Sequence, residues 1–163
     1  MNFYSFSGTV TSISDFMISS NDYEGCYKIM GVDDIKGRTV NFVISPTTYF
    51  IKQEMVLVGD SITGYYDGDA PVPLIYPPQY RALIVVKNSN VRNVKVDYFD
   101  CDLVSSDGKL KLNISSNTKI TLTNGQDFSK NPAKRNLIVI YGASTRSIPA
   151  QTTPSEIIVW CSM

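Results

Sequence analysis

The sequence predicts an all-β protein that consists of two tandem small β-barrel units with little or no helix. Short runs rich in β-branched and aromatic residues recur along the 163 residues, and turn signals separate them at close spacing. A hydrophobic content of 43% is sufficient for a buried core. The same order of runs and turns occurs twice, so we expect a first unit at residues 1–87 and a second at residues 88–163.

The predicted strands of the first half differ in how strongly the sequence marks them. Residues 6–13 alternate between polar and apolar types, and Gly8 is expected to mark a β-bulge or a close approach of another chain segment. The continuous apolar run at residues 82–86 is typical of a strand buried on both faces. The other predicted strands of this half are residues 16–18, 26–30, 38–44, 48–51 and 61–66, with a polar break at residues 19–22.

An unusual loop, which we name the Pro/Tyr loop, is predicted between the last two strands of the first half, at residues 65–81. It contains four prolines, four tyrosines and two aspartates. Residues 77–80 are compatible with one helical turn, because proline is tolerated at the first helical positions. No other stretch of the sequence predicts a helix.

The second half of the sequence follows the same plan. Residues 105–108 give a strong hairpin signal between predicted strands at residues 102–104 and 110–114. The other predicted strands of this half are residues 94–99, 119–122, 137–141 and 157–160.

Self-comparison of the sequence relates the two halves. Residues 44–50 match residues 114–120 at an offset of 70, and both contain an Ile-Ser-x-x-Thr turn. At an offset of 75 the Pro/Tyr loop matches the loop after Tyr141, and residues 82–85 match residues 157–160. The second copy of the loop has prolines but no tyrosine, so the connection itself is predicted to be part of the fold.

Two resemblances follow from these patterns. The short strands of each half, the Val-Gly-Asp turn at residues 58–60 and the glycine in the first strand are similar to OB-type barrels. That resemblance implies two tandem small OB-like β-barrels. The string Gly-Tyr-Tyr-Asp-x-x-Ala-Pro-x-Pro-x-Ile-Tyr-Pro-Pro-x-Tyr at residues 64–80 also resembles uncharacterised bacterial proteins of Firmicutes type, over most of the chain. This second resemblance implies no activity, since such proteins have no established function.

The charge distribution argues against nucleic acid as a partner. The formal net charge is zero, but residues 1–87 carry six Lys/Arg and nine Asp/Glu, whereas residues 88–163 carry nine and six. Eight of the ten tyrosines lie in the acidic first half. Nucleic-acid binding needs cations that follow the phosphates beside aromatic rings that stack on bases, and here the two are in different halves.

The composition also excludes several chemistries. The chain has no histidine, which excludes His-based catalytic triads and His-containing metal sites. The three cysteines, Cys26, Cys101 and Cys161, fit neither a disulfide framework nor a zinc site. The first residues show no signal peptide and no apolar run has the length of a membrane span. We therefore expect a reduced, cytoplasmic protein with no cofactor and no membrane partner.

Carboxylates are the only candidate catalytic groups. Asp67 and Asp69 are close in sequence, and paired carboxylates can act as acid and base in glycoside hydrolysis. Both lie in a Gly-containing turn, where Asp side chains commonly accept hydrogen bonds from their own backbone, so a turn role is expected. Asp97, Asp100 and Asp102 lack the Asp-x-Asp-x-Asp-Gly pattern of a calcium loop, and the cysteine between the last two has acidic neighbours that disfavour a thiolate. The sequence predicts a protein that is not an enzyme.

The Pro/Tyr loop has three interpretations, namely a rigid cap over the barrel end, a protein contact site and the mouth of a small-ligand site. Tyrosine and arginine are favoured at protein interfaces, and a loop stiffened by proline loses little entropy on binding. The main hypothesis is therefore a binding or assembly module that contacts a protein partner or a second copy of itself. Binding of an oligosaccharide or small ligand is the alternative, and a carboxylate-dependent hydrolase is a third. The predicted site residues are Asp67, Asp69, Tyr76, Tyr80 and Arg81.

Overall fold

The computed structural model describes residues 1–17, 19 and 24–161. It is 47% strand, and the described residues contain no α-helix, so the all-β prediction is confirmed. The chain divides into two compact units, of which the first is Met1–Asn88 and the second begins at Ser89. The strand predicted at residues 16–18 is wrong for Phe16 and Met17, which follow the end of the first strand and belong to none. Residue 18 and most of the polar break at residues 19–22 lie outside the described residues. In the part of the chain that the structure describes, no helix is long and apolar enough to cross a membrane.

The first unit is a single seven-stranded sheet. Its strands are β1 (Phe3–Asp15), β2 (Lys28–Asp33), β3 (Thr39–Ile44), β4 (Tyr49–Phe50), β5 (Ser61–Asp67), β6 (Gln79–Arg81) and β7 (Ile84–Lys87), with a 3₁₀ turn at Ile51–Gln53. The order across the sheet is β4-β7-β5-β1-β2-β3-β6. Strands β1, β2 and β3 form an antiparallel meander, and β5 pairs antiparallel with both β1 and β7. The two shortest strands pair in parallel, β6 with β3 and β4 with β7.

One face of this sheet supplies the core of the first unit. Because successive side chains of a strand point to opposite faces, alternate residues of β3 turn inward, and these are Val40, Phe42 and Ile44. β1 approaches β2 closely at Gly8, since a Cβ atom at Gly8 would be 2.2 Å from the carbonyl oxygen of Asp33. The predicted close approach at Gly8 is thus confirmed. The predicted bulge is not at Gly8, because the register of β1 shifts between Val10 and Ser12.

The second unit contains two separate sheets. Its strands are β8 (Asn93–Phe99), β9 (Leu110–Leu112), β10 (Lys119–Leu122), β11 (Arg135–Tyr141), β12 (Ala150–Thr152) and β13 (Glu156–Trp160). One sheet has the order β10-β13-β11-β8, and β12 pairs with β9 in the other. Alternate residues of β11 and β13 pack with Phe99, Leu110 and Leu112 to form the core of this unit.

Three predictions about local structure need correction. The helical turn predicted at residues 77–80 is instead the approach to β6, which pairs with β3. Of the strand predicted at residues 102–104, only Val104 is bridged, and its partner is Lys111. The sequence also predicts two OB-like barrels. The hydrogen bonds instead define sheets of seven, four and two strands, and this pairing is not that of two OB barrels.

Equivalent contacts occur in the two units at the Ile-Ser-x-x-Thr turns. The Thr48 hydroxyl donates to the carbonyl oxygen of Ala82 at 2.8 Å, and the Thr118 hydroxyl donates to that of Pro154 at 2.7 Å. The strands that follow these turns pair in the same way in both units. Tyr49 of β4 is opposite Ile84 of β7, and Lys119 of β10 is opposite Glu156 of β13. Position 84 therefore corresponds to position 156, and the offset of 75 predicted for this strand is three residues too large. Runs of Ile and Val match at several offsets, so only the pairing register decides between them.

Candidate functional site

The Pro/Tyr loop begins and ends in strands of the first unit. Residues 65–67 belong to β5 and residues 79–81 to β6, so residues 68–78 form the connection. The Tyr76–Pro77 peptide bond is cis, as is the Ile148–Pro149 bond in the corresponding loop of the second unit. Because β6 pairs with β3 and β5 with β1, both ends of the loop are held by the sheet.

Four aromatic side chains, which we name the aromatic cluster, lie where the two ends of the loop join the sheet. They are Tyr4, Phe42, Tyr66 and Tyr80. The rings of Tyr66 and Tyr80 stack with centroids 3.9 Å apart and planes 7° apart. Tyr4 packs edge-on against Tyr66 at 6.1 Å, and Phe42 lies 6.2 Å from Tyr66 and 6.5 Å from Tyr80. The register explains the cluster, since Tyr4 is directly opposite Tyr66 and Phe42 directly opposite Tyr80.

Two glycines make room for the aromatic cluster. A Cβ atom at Gly64 would be 2.6 Å from the Phe42 ring, and one at Gly68 would be 2.5 Å from the Tyr4 ring. Any larger residue at either position would therefore displace a ring. The glycines on both sides of Tyr66 are required by packing.

The two aspartates of the predicted site fix the start of the loop. The Asp67 carboxylate accepts a hydrogen bond from the backbone N–H of Asp69 at 3.0 Å, which is the turn role expected from the sequence. The Asp69 carboxylate accepts from the side-chain amide of Asn2 at 3.2 Å and lies 3.9 Å from the N-terminal ammonium of Met1. Asp67 thus fixes the turn at the start of the loop, and Asp69 holds that turn against the residues that precede β1.

The outer part of the loop exposes a continuous apolar surface, which we name the apolar tip. Leu74 is 100% exposed and Tyr76 is 83% exposed, while Ile75 is 54% and Val72 is 44% exposed. Water therefore covers four large apolar side chains within five residues, an arrangement that marks contact surfaces on soluble proteins. The sequence prediction named Tyr76 but missed Leu74 and Ile75. The available signal was their position between prolines, which prevents them from joining a buried strand.

The other two predicted site residues differ in their surroundings. Tyr80 is half-buried, and Tyr66 covers one face of its ring. A ligand could therefore stack only on the opposite face of the Tyr80 ring. Arg81 is exposed, and its guanidinium forms no ion pair with a described residue. The structure therefore places Tyr76 and Arg81 in solvent and Tyr80 within the aromatic cluster.

The carboxylates of the second unit also have local partners. Asp97 accepts hydrogen bonds from the Ser106 hydroxyl at 2.5 Å and from the backbone N–H of Tyr98 at 2.8 Å. Asp107 accepts from Ser105 and Lys95, and contacts with these residues hold the pKa of Asp107 at about 2 although its partial burial acts in the opposite direction. No three potential metal ligands lie close enough together, within the described ranges, to hold an ion.

Tyr66 provides a test of the aromatic cluster. Burial raises the pKa of Tyr66 from 10.0 to about 12, with further contributions from Tyr80 and Tyr4. The unfolded chain would ionise this phenol near pH 10, whereas the folded chain keeps it neutral to about pH 12. The stability that depends on the neutral phenol is therefore complete below pH 10 and is lost as the pH rises from 10 to about 12.

We expect the urea midpoint of the wild-type protein to fall over this range more steeply than that of Tyr66→Phe. The other tyrosines and the lysines are common to both proteins, so the difference reports Tyr66 alone. Equal pH dependence of the two midpoints would mean that Tyr66 ionises normally in the folded state.

Comparison of the chain with known proteins finds no matching family model, no matching curated protein and no matching solved structure. The resemblance to uncharacterised bacterial proteins therefore stays a prediction. The case for a function depends on the geometry of the apolar tip and of the aromatic cluster that supports it.

Proposed function

We propose that this protein is a non-catalytic assembly module that self-associates through the apolar tip of the Pro/Tyr loop. The observation that carries the proposal is the exposure of Val72, Leu74, Ile75 and Tyr76 on a loop that is anchored at both ends. Burial of one such side chain contributes about 1.5–3 kcal/mol, and burial of several at two tips opposes the entropy cost of association.

The anchoring of the loop favours binding because the loop loses little conformational entropy when it contacts a partner. The Asp67 turn, the Asn2–Asp69 contact and the Tyr66–Tyr80 stack fix both ends of the loop. A pre-ordered surface loses less conformational entropy when it binds than a flexible one does. Four prolines add to this effect, since each fixes φ and none has an N–H that needs a partner.

A second copy of the chain is the partner that the charges favour. With a formal net charge of zero, two copies do not repel each other at long range. Residues 70–78 contain no charged side chain, so two loops can meet without burying an unpaired charge. A small symmetric contact of this kind belongs with weak, transient interfaces, which bury less than about 1,200 Å².

The aliphatic character of the tip favours a protein surface over an oligosaccharide. Three of the four large side chains of the tip are aliphatic, and Tyr76 is its one exposed ring. Tyr66 and Tyr80 already stack on each other. Arg81 stands exposed beside the loop, where it can contact a carboxylate of the second copy.

The connectivity of the first unit supports an OB-like arrangement as the finer description of that unit. Strands β6 and β7 are separated only by Ala82 and Leu83, whose N–H groups donate to Val43 of β3 at 3.0 Å and to Tyr65 of β5 at 2.8 Å. One continuous segment thus bonds to both sides of the β5-β1-β2-β3 sheet. On this path the Pro/Tyr loop occupies the position between strands four and five, one of the loops with which OB-folds bind ligands. That last point is an analogy between folds.

The test compares two fully exposed aliphatic residues by sedimentation equilibrium. Leu74→Asp should weaken self-association about tenfold or more, because a carboxylate would have to be desolvated in the contact. Ile35→Asp is the matched control, since Ile35 is equally exposed but lies in the turn between β2 and β3. A wild-type protein that stays monomeric at about 100 μM, or an Ile35→Asp effect equal to that of Leu74→Asp, would overturn the proposal.

A further inference from the structure

A groove in the second unit is surrounded by cations. Its lining residues are Cys101, Lys130, Asn131, Ala133, Lys134 and Arg135. Four of them belong to the segment that leads into β11, Arg135 is the first residue of β11, and Cys101 comes two residues after β8. Three of the six carry a positive charge, and none of the six carries a negative one.

The cations of the groove are not neutralised by ion pairs. Lys130 and Lys134 are exposed, and neither forms an ion pair or a side-chain hydrogen bond with a residue that the structure describes. Arg135 likewise has no carboxylate partner among the described residues. Asp100 and Asp102 flank Cys101 in sequence, but Asp100 accepts from the backbone N–H groups of its own turn at 2.9 and 3.0 Å.

The guanidinium of Arg135 is held in a fixed orientation. Its Nε atom donates to the carbonyl oxygen of Asn131 at 3.1 Å, and its Cζ atom lies 4.8 Å from the centre of the Phe128 ring. These two contacts fix the plane of the group and leave its terminal amino groups available. A planar guanidinium with two available amino groups matches a phosphate or carboxylate in geometry.

The backbone of the groove segment is fixed as well. The side-chain oxygen of Asn131 accepts from the backbone N–H of Ala133 at 3.0 Å, and Pro132 between them is buried. Lys134 has a φ of 61°, in the left-handed region that favours glycine. A lysine kept in this conformation, with its amino group unpaired beside two other cations, is the kind of backbone outlier that accompanies binding sites.

We propose that this groove binds a phosphate group, with Lys130, Lys134 and Arg135 as its ligands. Three cations without a carboxylate partner among the described residues suit an anion of two or more charges better than a carboxylate. The phosphate can belong to a small molecule or to the backbone of a single-stranded nucleic acid, and the experiment separates these sources. The site is independent of the apolar tip, which belongs to the first unit.

The experiment measures binding by calorimetry with two probes, inorganic phosphate and a single-stranded oligothymidylate, at matched ionic strength. Lys134→Asn removes one charge and keeps the left-handed conformation, which asparagine tolerates. We expect it to weaken binding of the effective probe about tenfold. Arg146→Gln is the matched control, because Arg146 is exposed beyond the opposite end of β11 and should leave binding unchanged.

Cys101 supplies a second readout at the groove itself. All three cysteines are free and exposed, so a Cys26→Ser/Cys161→Ser background leaves Cys101 as the one reactive thiol. Phosphate in the groove should slow alkylation of Cys101 by neutral iodoacetamide, and Lys134→Asn should remove that protection. A site for a small phosphorylated molecule responds to inorganic phosphate, whereas a nucleic-acid site responds to the oligonucleotide alone. Failure of both probes to bind, or equal losses in Lys134→Asn and Arg146→Gln, would overturn the proposal.

Discussion

Gly8→Ala is expected to lower the free energy of unfolding by about 3 kcal/mol, the upper part of the range for overpacked positions. The added Cβ would lie 2.2 Å from the carbonyl oxygen of Asp33, 2.6 Å from its carbonyl carbon and 3.0 Å from the backbone nitrogen of Asp34. All three atoms are backbone, so no side-chain rotation can relieve the contact. Strand β1 would have to move away from β2, at a position where it also pairs with Ile62 of β5.

Gly142→Ala is the control for this prediction. No atom lies within 4 Å of a Cβ placed at Gly142, and its φ is outside the left-handed region. The change should therefore alter stability by less than about 0.5 kcal/mol. Urea unfolding followed by circular dichroism measures both variants. Similar midpoints for Gly8→Ala and Gly142→Ala would show that β1 and β2 separate at little cost.

The long strands could be predicted because their apolar residues form continuous or alternating runs. Residues 137–141 and 157–160 were predicted as strands and lie in β11 and β13. The three-residue strands β6 and β12 could not be predicted, because Gln79–Arg81 and Ala150–Thr152 have no strand pattern of their own. Both exist through parallel pairing with a segment distant in sequence. Such pairing is a property of the tertiary fold.

The candidate site was predictable to the extent that it depends on turn chemistry. The turn role of Asp67 follows from the composition of the segment, and the structure contains the expected hydrogen bond. The stack of Tyr80 on Tyr66 could not be predicted, because it depends on which residues of four strands lie opposite one another. The exposure of Leu74 and Ile75 does not follow from residue type, because leucine and isoleucine are usually core residues.

Phe42→Ala should cause the largest loss of stability in the first unit, about 3–5 kcal/mol. Phe42 is fully buried and fills the space beside Gly64, so its removal leaves a cavity between β3 and β5. The same ring supports Tyr66 and Tyr80 at 6.2 and 6.5 Å. Water that enters this cavity should lower the pKa of Tyr66 towards its usual value, and alkaline titration of tyrosine absorbance detects that shift.

Phe99→Ala separates this local effect from a general loss of stability. Phe99 is also fully buried, but it belongs to the core of the second unit. Phe99→Ala should lower the free energy of unfolding by a similar amount, about 3–5 kcal/mol, and leave the titration of Tyr66 unchanged. If Phe42→Ala also weakens self-association while Phe99→Ala does not, the apolar tip depends on the aromatic cluster at the ends of the loop. An unchanged Tyr66 titration in Phe42→Ala would instead mean that Phe42 does not keep water from the Tyr66 ring. In that case the Asp67 turn and the Asn2–Asp69 contact would be what orders the loop.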